Sequence, residues 1–132
     1  MHKYSIRMVI SILVTVVASS GCATTGNLIR GYYREETIPN PKTYFSQIWA
    51  TTGENIFKVS GKLKLKGSIG IHVPDYVEVT LIDKEDGVLE KKKVSYYPRS
   101  LTGKRKHREA HFVAEFNEIP PQGTLIRLSN VD

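Results

Sequence analysis

The chain is predicted to be all-β, a small antiparallel β-sandwich of six to seven short strands standing behind a leader segment and a tether. Three observations predict it. Apolar and polar residues alternate with period two through Ile56–Lys66, Tyr76–Asp83 and Ala110–Glu118, as in strands with one face buried and the other wet. Turn-forming residues punctuate these runs at Thr52-Gly53-Glu54-Asn55, Lys84-Glu85-Asp86-Gly87 and Ile119-Pro120-Pro121-Gln122-Gly123. The strands then recur every roughly 8–14 residues, the rhythm of a sandwich.

Each element has its own warrant. Residues 43–52 are ambiguous. Tyr44/Ile48 and Phe45/Trp49 have helical i,i+4 spacing, and Asn40-Pro41 resembles a helix cap followed by proline at the first helical position. Yet Thr, Tyr, Phe, Ile and Trp are strand formers, and a strand is the better reading. In Ile56–Lys66, Val59, Gly61, Leu63 and Leu65 point one way and a row of lysines the other. The lysines read as a solvated face that discourages pairing with other chains. Val77, Val79 and Leu81 form the inner face of the next strand. A hairpin at Lys84–Gly87, with Gly87 suited to positive φ, leads into a return strand over Val88–Tyr96. The Glu90-Lys91-Lys92-Lys93 centre of that strand implies an exposed or edge position. Phe112, Ala114 and Phe116 turn inward from Ala110–Glu118, and Thr124–Asn130 is the last strand.

The fragments Val59-Ser60-Gly61, Val77-x-Val79-x-Leu81-x-Asp83-x-x-x-Gly87 and Phe112-x-x-x-Phe116-x-x-x-Pro120-Pro121-x-Gly123 occur in that order. This order resembles immunoglobulin-like and transthyretin-like sandwich modules over about residues 56–130. The resemblance implies architecture alone. Such modules bind, space or stiffen, and no catalytic residue carries over from them.

The amino-terminal segment carries an address. Lys3 and Arg7 precede an apolar run over Met8–Ala18, which ends in Ser19-Ser20-Gly21 before Cys22, the chain's single cysteine. The run is too short for a bilayer span, which needs about 20 residues, and the layout is that of a cleaved export signal. Ser20-Gly21-Cys22 resembles the lipobox of bacterial lipoproteins, although Ser19 departs from the aliphatic residue usual there. The resemblance implies diacylglyceryl transfer to the Cys22 thiol, cleavage before it, and usually acylation of the new amino terminus (a palmitate-type anchor). Several acyl chains hold a protein stably where one does so marginally. Ala23 stands where enterobacterial lipoproteins that stay in the inner membrane have Asp, so the expected location is the periplasmic face of the outer membrane. The competing reading is a plain secretory signal cut after Ser20, which would release a soluble periplasmic protein.

The expected organisation is therefore a signal peptide over residues 1–21, lipidated Cys22 with a flexible tether over 22–42, and a sandwich over 43–132. Thr24-Thr25-Gly26-Asn27, Arg30-Gly31-Tyr32-Tyr33-Arg34 and Pro39-Asn40-Pro41 suggest the tether. With Cys22 carrying lipid, no disulfide staples the domain, and its core alone must hold it.

Of the 132 residues, 19 are Lys or Arg and 13 Asp or Glu, a formal charge of +6 that falls by two when Lys3 and Arg7 leave with the signal. Export makes nucleic acid an unexpected partner. Lipid headgroups, anionic envelope components and envelope proteins are the expected ones. The strongest candidate for recognition is a basic loop of Arg99, Lys104, Arg105, Lys106 and Arg108, preceded by Tyr96 and Tyr97. Such cations can clamp phosphate or carboxylate groups.

Catalytic patterns are not recognisable. There is no Gly-x-Ser-x-Gly elbow, no Ser-x-x-Lys, and no thiol placed near a histidine. Asp83, Glu85 and Asp86 lie in a hairpin turn, where solvation is the ordinary explanation. No metal site is expected from His72, His107 and His111, which are scattered, and both methionines lie in the signal. No cofactor and no enzymatic activity are expected.

Overall fold

A computed structural model describes residues 27–67, 72–99, 101 and 108–132. Seven strands and no helix occur among them: β1 (Arg34–Thr37), β2 (Thr43–Gly53), β3 (Ile56–Leu65), β4 (Tyr76–Ile82), β5 (Val88–Tyr97), β6 (Glu109–Phe116) and β7 (Leu125–Val131). The ladder runs β1-β7-β4-β5-β6-β3-β2. β4, β5 and β6 form a meander, β3 lies beside β6, and β7 lies beside β4. These are two overlapping Greek keys.

β5 is the joint between two layers. It pairs with β4 over most of its length but meets β6 only at Tyr96–Phe112 and Tyr97–His111. The ladder therefore folds into β1-β7-β4-β5 and β6-β3-β2. The inner faces carry the predicted side chains: Val59, Leu63, Val77, Val79, Leu81, Phe112, Ala114 and Phe116 are all buried. Phe57, Ile126 and Leu128 complete the centre. Among the described residues no strand lies beside Glu90–Lys93 on the side of β5 away from β4, which accounts for the charged centre of β5. Lys92 Nζ reaches across that opening to donate to Glu115 O of β6 at 2.6 Å.

Residues 27–42 correct the expected tether. Leu28 and Ile29 pack against the core, and Tyr33 is buried with its ring 5.1 Å from that of Phe57. Tyr33 Oη donates to Pro120 O at 2.9 Å. β1 then pairs in parallel with β7, from Arg34↔Leu125 to Thr37↔Leu128, so the sheet is mixed rather than purely antiparallel. The reason is local. Four residues without an apolar stripe give no strand signal in the sequence, yet β7 would otherwise expose an unpaired backbone edge, and β1 satisfies it.

Two turns also differ in chemistry from the sequence reading. Asn40-Pro41 is a side-chain turn leading into β2, with Asn40 Oδ1 accepting from Lys42 N at 2.8 Å. The same capping ability that suggested a helix start serves an Asx-turn here. In the β4–β5 hairpin the positive φ of 65° falls on Asp86, not Gly87. Asp83 Oδ1 accepts from both Glu85 N and Gly87 N. A Cβ on Gly87 would lie 2.9 Å from Asp83 Oδ2, so glycine is needed there for close approach.

One end of the sandwich is locked by buried Asn130. Its Nδ2 donates to Pro74 O and Tyr76 O, both at 2.9 Å, and its Oδ1 accepts from Thr43 Oγ1 at 2.8 Å. The contact joins β7 to the start of β2 across the two layers.

Candidate functional site

The β2 strand explains its own ambiguity. Ser46 pairs with Lys62 and Trp49 with Ser60, so Gln47 and Ile48 together oppose the single residue Gly61. This is a β-bulge. The inward residues become Thr43, Phe45, Ile48 and Ala50, and the extra residue produces the spacing that resembles a helix. Gln47 has φ of 50°, a conformation that costs a non-glycine residue on the order of 1–2 kcal/mol. Gly61 is its counterpart: a Cβ there would meet the Phe112 ring at 3.1 Å and Ile48 Cα at 3.4 Å. Bulges of this kind re-aim side chains. Here Ile48 stays in the core, and Trp49, 47% exposed, stands outward.

The amino-terminal segment builds a wall beside the bulge. Asn27 imitates a pairing strand: Nδ2 donates to Ile48 O at 2.8 Å, and Oδ1 accepts from Ala50 N at 3.0 Å. Leu28 N donates to Ala50 O at 2.9 Å. The segment then crosses to the other layer as β1. Between this strap and β2 lies a groove of about 690 Å³, lined by Asn27, Ile29, Arg30, Glu35 and the stretch Phe45–Trp49. A shallower hollow of about 220 Å³, lined by Ser60, Lys62, His111 and Val113, lies on the other side of Trp49 and Gln47.

Ser46, Glu35 and Arg30 are the groove groups that bear on binding. Ser46 Oγ is buried without a hydrogen-bond partner among the described residues, a rare condition for a native hydroxyl. Glu35 has its pKa raised by desolvation. No ion pair joins Arg30 or Glu35 to a described residue. Opposite charges, amide and hydroxyl groups beside an aromatic face can hold a small polar or zwitterionic ligand.

The residues singled out from the sequence are placed differently. Cys22, Lys104, Arg105, Lys106 and His107 lie outside the described residues. Arg99 and Arg108 flank the basic loop at the Asn130 end of the sandwich. Arg108 Nη2 donates to Gly67 O at 3.3 Å, and Arg108 O accepts from Leu65 N. Arg99 lies near Tyr96, whose pKa is raised by burial and by Asp75 and Asp132, with Arg99 opposing. Tyr96 Oη donates to Pro74 O at 3.0 Å.

Several other charged groups have simple partners. His72 Nε2 sits 3.2 Å from Asp132 Oδ1, and His111 Nε2 3.8 Å from Glu109 Oε1. Among the described residues no three His, Cys, Asp or Glu side chains converge. On the outer face of β3 and β6, Lys62 and Lys64 both pair with Glu109, and Lys58 pairs with Glu115.

The sequence does not announce the groove, because one wall has the composition of a tether and the other is ambiguous between strand and helix. The available signal was the break in alternation between Phe45 and Ile48. The fold and groove define an all-β sandwich with a recess at one bulged edge. No family model, curated protein or solved structure matches the chain.

Proposed function

We propose that this chain is a lipid-anchored cell-envelope protein whose sandwich binds a ligand and performs no chemistry on it. The groove between the Asn27–Glu35 strap and the β2 bulge carries the binding reading. Its Gln47 backbone is held in a costly conformation, and Ser46 Oγ lacks a partner among the described residues. Strain and unpaired polar groups of this sort concentrate where a protein meets its ligands. The anchor half of the proposal rests on Ser20-Gly21-Cys22 following a short apolar run.

Fractionation tests the anchor. Cys22→Ser is expected to move the protein from the membrane to the soluble fraction, and unchanged fractionation removes the lipid from the account. Ligand capture by the full chain tests the groove: Gln47→Ala and Trp49→Ala should each weaken it while leaving thermal unfolding nearly unchanged. Capture undiminished by either change refutes the site.

A second reading, an accessory subunit of a multi-protein secretion or transport machine of the envelope, has one observation in its favour. Val88, Leu89 and Ile119 are exposed at the end of the sandwich opposite Asn130, where Leu89 and Ile119 line a hollow with Pro120 and Pro121. Exposed apolar groups beside rigid prolines suit a protein partner. Crosslinking in native membranes that repeatedly captures one protein through this end favours the machine.

A further inference from the structure

We propose that the β2 edge faces the protein's own bilayer and that its groove takes the headgroup of an aminophospholipid, phosphate to Arg30 and ammonium to Glu35. The inference rests on lipid attachment at Cys22, as proposed above, and deepens it by assigning the ligand.

Chain length sets the geometry. Asn27 is bonded to Ile48 and Ala50, the two neighbours of Trp49. Only residues 23–26 separate it from Cys22, and five residue steps reach at most about 18 Å. The polar layer of a leaflet takes up roughly 5–7 Å of that reach. The start of the strap is thereby held within about 12 Å of the headgroup surface, less than the radius of gyration of about 13 Å expected for a domain of this size. A domain tied this closely, at the edge of one strand, keeps that edge near the lipid.

The side chains at the edge suit that position. Trp49 and Tyr44 are both exposed and both stand on the outer face of β2. Aromatic residues of this kind favour the membrane–water interface. Within the groove Arg30 and Glu35 carry opposite charges with no partner among the described residues. A purely anionic headgroup would satisfy Arg30 and be repelled by Glu35. A phosphate and a primary ammonium on one headgroup satisfy both, each through charge-assisted hydrogen bonds.

Trp49 is the single tryptophan, so its emission reports on this edge alone. The experiment uses the full mature protein purified from membranes, its acylation first read by intact mass, then reconstituted into vesicles. An unmodified Cys22 in the mass spectrum ends the anchor reading, independently of the optical result. For acylated protein in phosphatidylethanolamine vesicles, a blue-shifted Trp49 emission shielded from acrylamide is expected. Phosphatidylglycerol vesicles should give a smaller shift. Glu35→Gln should erase the difference between the two lipids, and Arg30→Ala should weaken the ethanolamine response by about tenfold or more, the loss of one charge-assisted hydrogen bond to phosphate. Emission that stays water-exposed in both vesicles, or shifts equally in both, overturns the proposal. So does a shift produced by soluble phosphoethanolamine in detergent but absent in vesicles, which would assign the groove to a free ligand.

Discussion

Replacing Tyr33 with alanine should destabilise the domain severely, although the residue lies in a segment whose composition is that of a linker. Tyr33 is 8% exposed, packs at 5.1 Å against Phe57 and donates to Pro120 O at 2.9 Å. Truncating a buried aromatic costs about 3–5 kcal/mol. Tyr33 sits at the rim of the core, so about 3–4 kcal/mol is expected. That is a large share of the roughly 5–15 kcal/mol that holds a small domain together. With a urea dependence of about 2 kcal/mol per molar, the unfolding midpoint should fall by about 1.5–2 M at constant slope. Tyr33→Phe keeps the ring and loses only the hydrogen bond, so its cost should be about 1 kcal/mol. Tyr32→Ala is the control: that residue is 53% exposed, and its cost should stay within about 0.5 kcal/mol. Urea denaturation followed by circular dichroism measures all three. If Tyr33→Ala unfolds at the same midpoint as Tyr32→Ala, residues 27–42 are not part of the folded unit and the reasoning fails.

Asn130→Ala strands the Thr43 hydroxyl and removes one donor each from the Tyr76 and Pro74 carbonyls, the latter still held by Tyr96 Oη; thermal unfolding should show a loss of about 2 kcal/mol, with Asn130→Asp no better because a carboxylate cannot donate to those carbonyls. Gln47→Gly relieves the positive φ and should raise stability by roughly 0.5–1 kcal/mol, while removing a groove side chain and weakening ligand capture. Glu109 has its pKa lowered below the ordinary 4.5, first by its hydrogen bond from Lys62. The stability it supplies is therefore full above that ordinary value and disappears as pH falls through the lowered one; melting curves of the protein and of Glu109→Gln should differ at neutral pH and converge in acid.

Strand character and the inner face of the sandwich are legible in the amino-acid order alone. Period-two alternation in β3, β4 and β6 reflects a backbone in which successive side chains point to opposite faces, so Val59, Leu63, Val77, Val79, Phe112 and Phe116 could be read as core one residue at a time. The Glu90–Lys93 run likewise reported the open side of β5. These are local facts, carried by neighbouring residues. Other features depend on partners far along the chain. Arg34–Thr37 is a strand because β7 offers an edge, and Tyr33 is buried because Phe57 and the Pro120 turn close over it. Gln47 bulges because Gly61, opposite, gives the Phe112 ring and the Ile48 backbone room that a Cβ would take. The groove exists where two segments about twenty residues apart meet, so neither Arg30 and Glu35 nor Ser46 and Trp49 announces it alone; pairing energy between distant segments, rather than any local propensity, made the site.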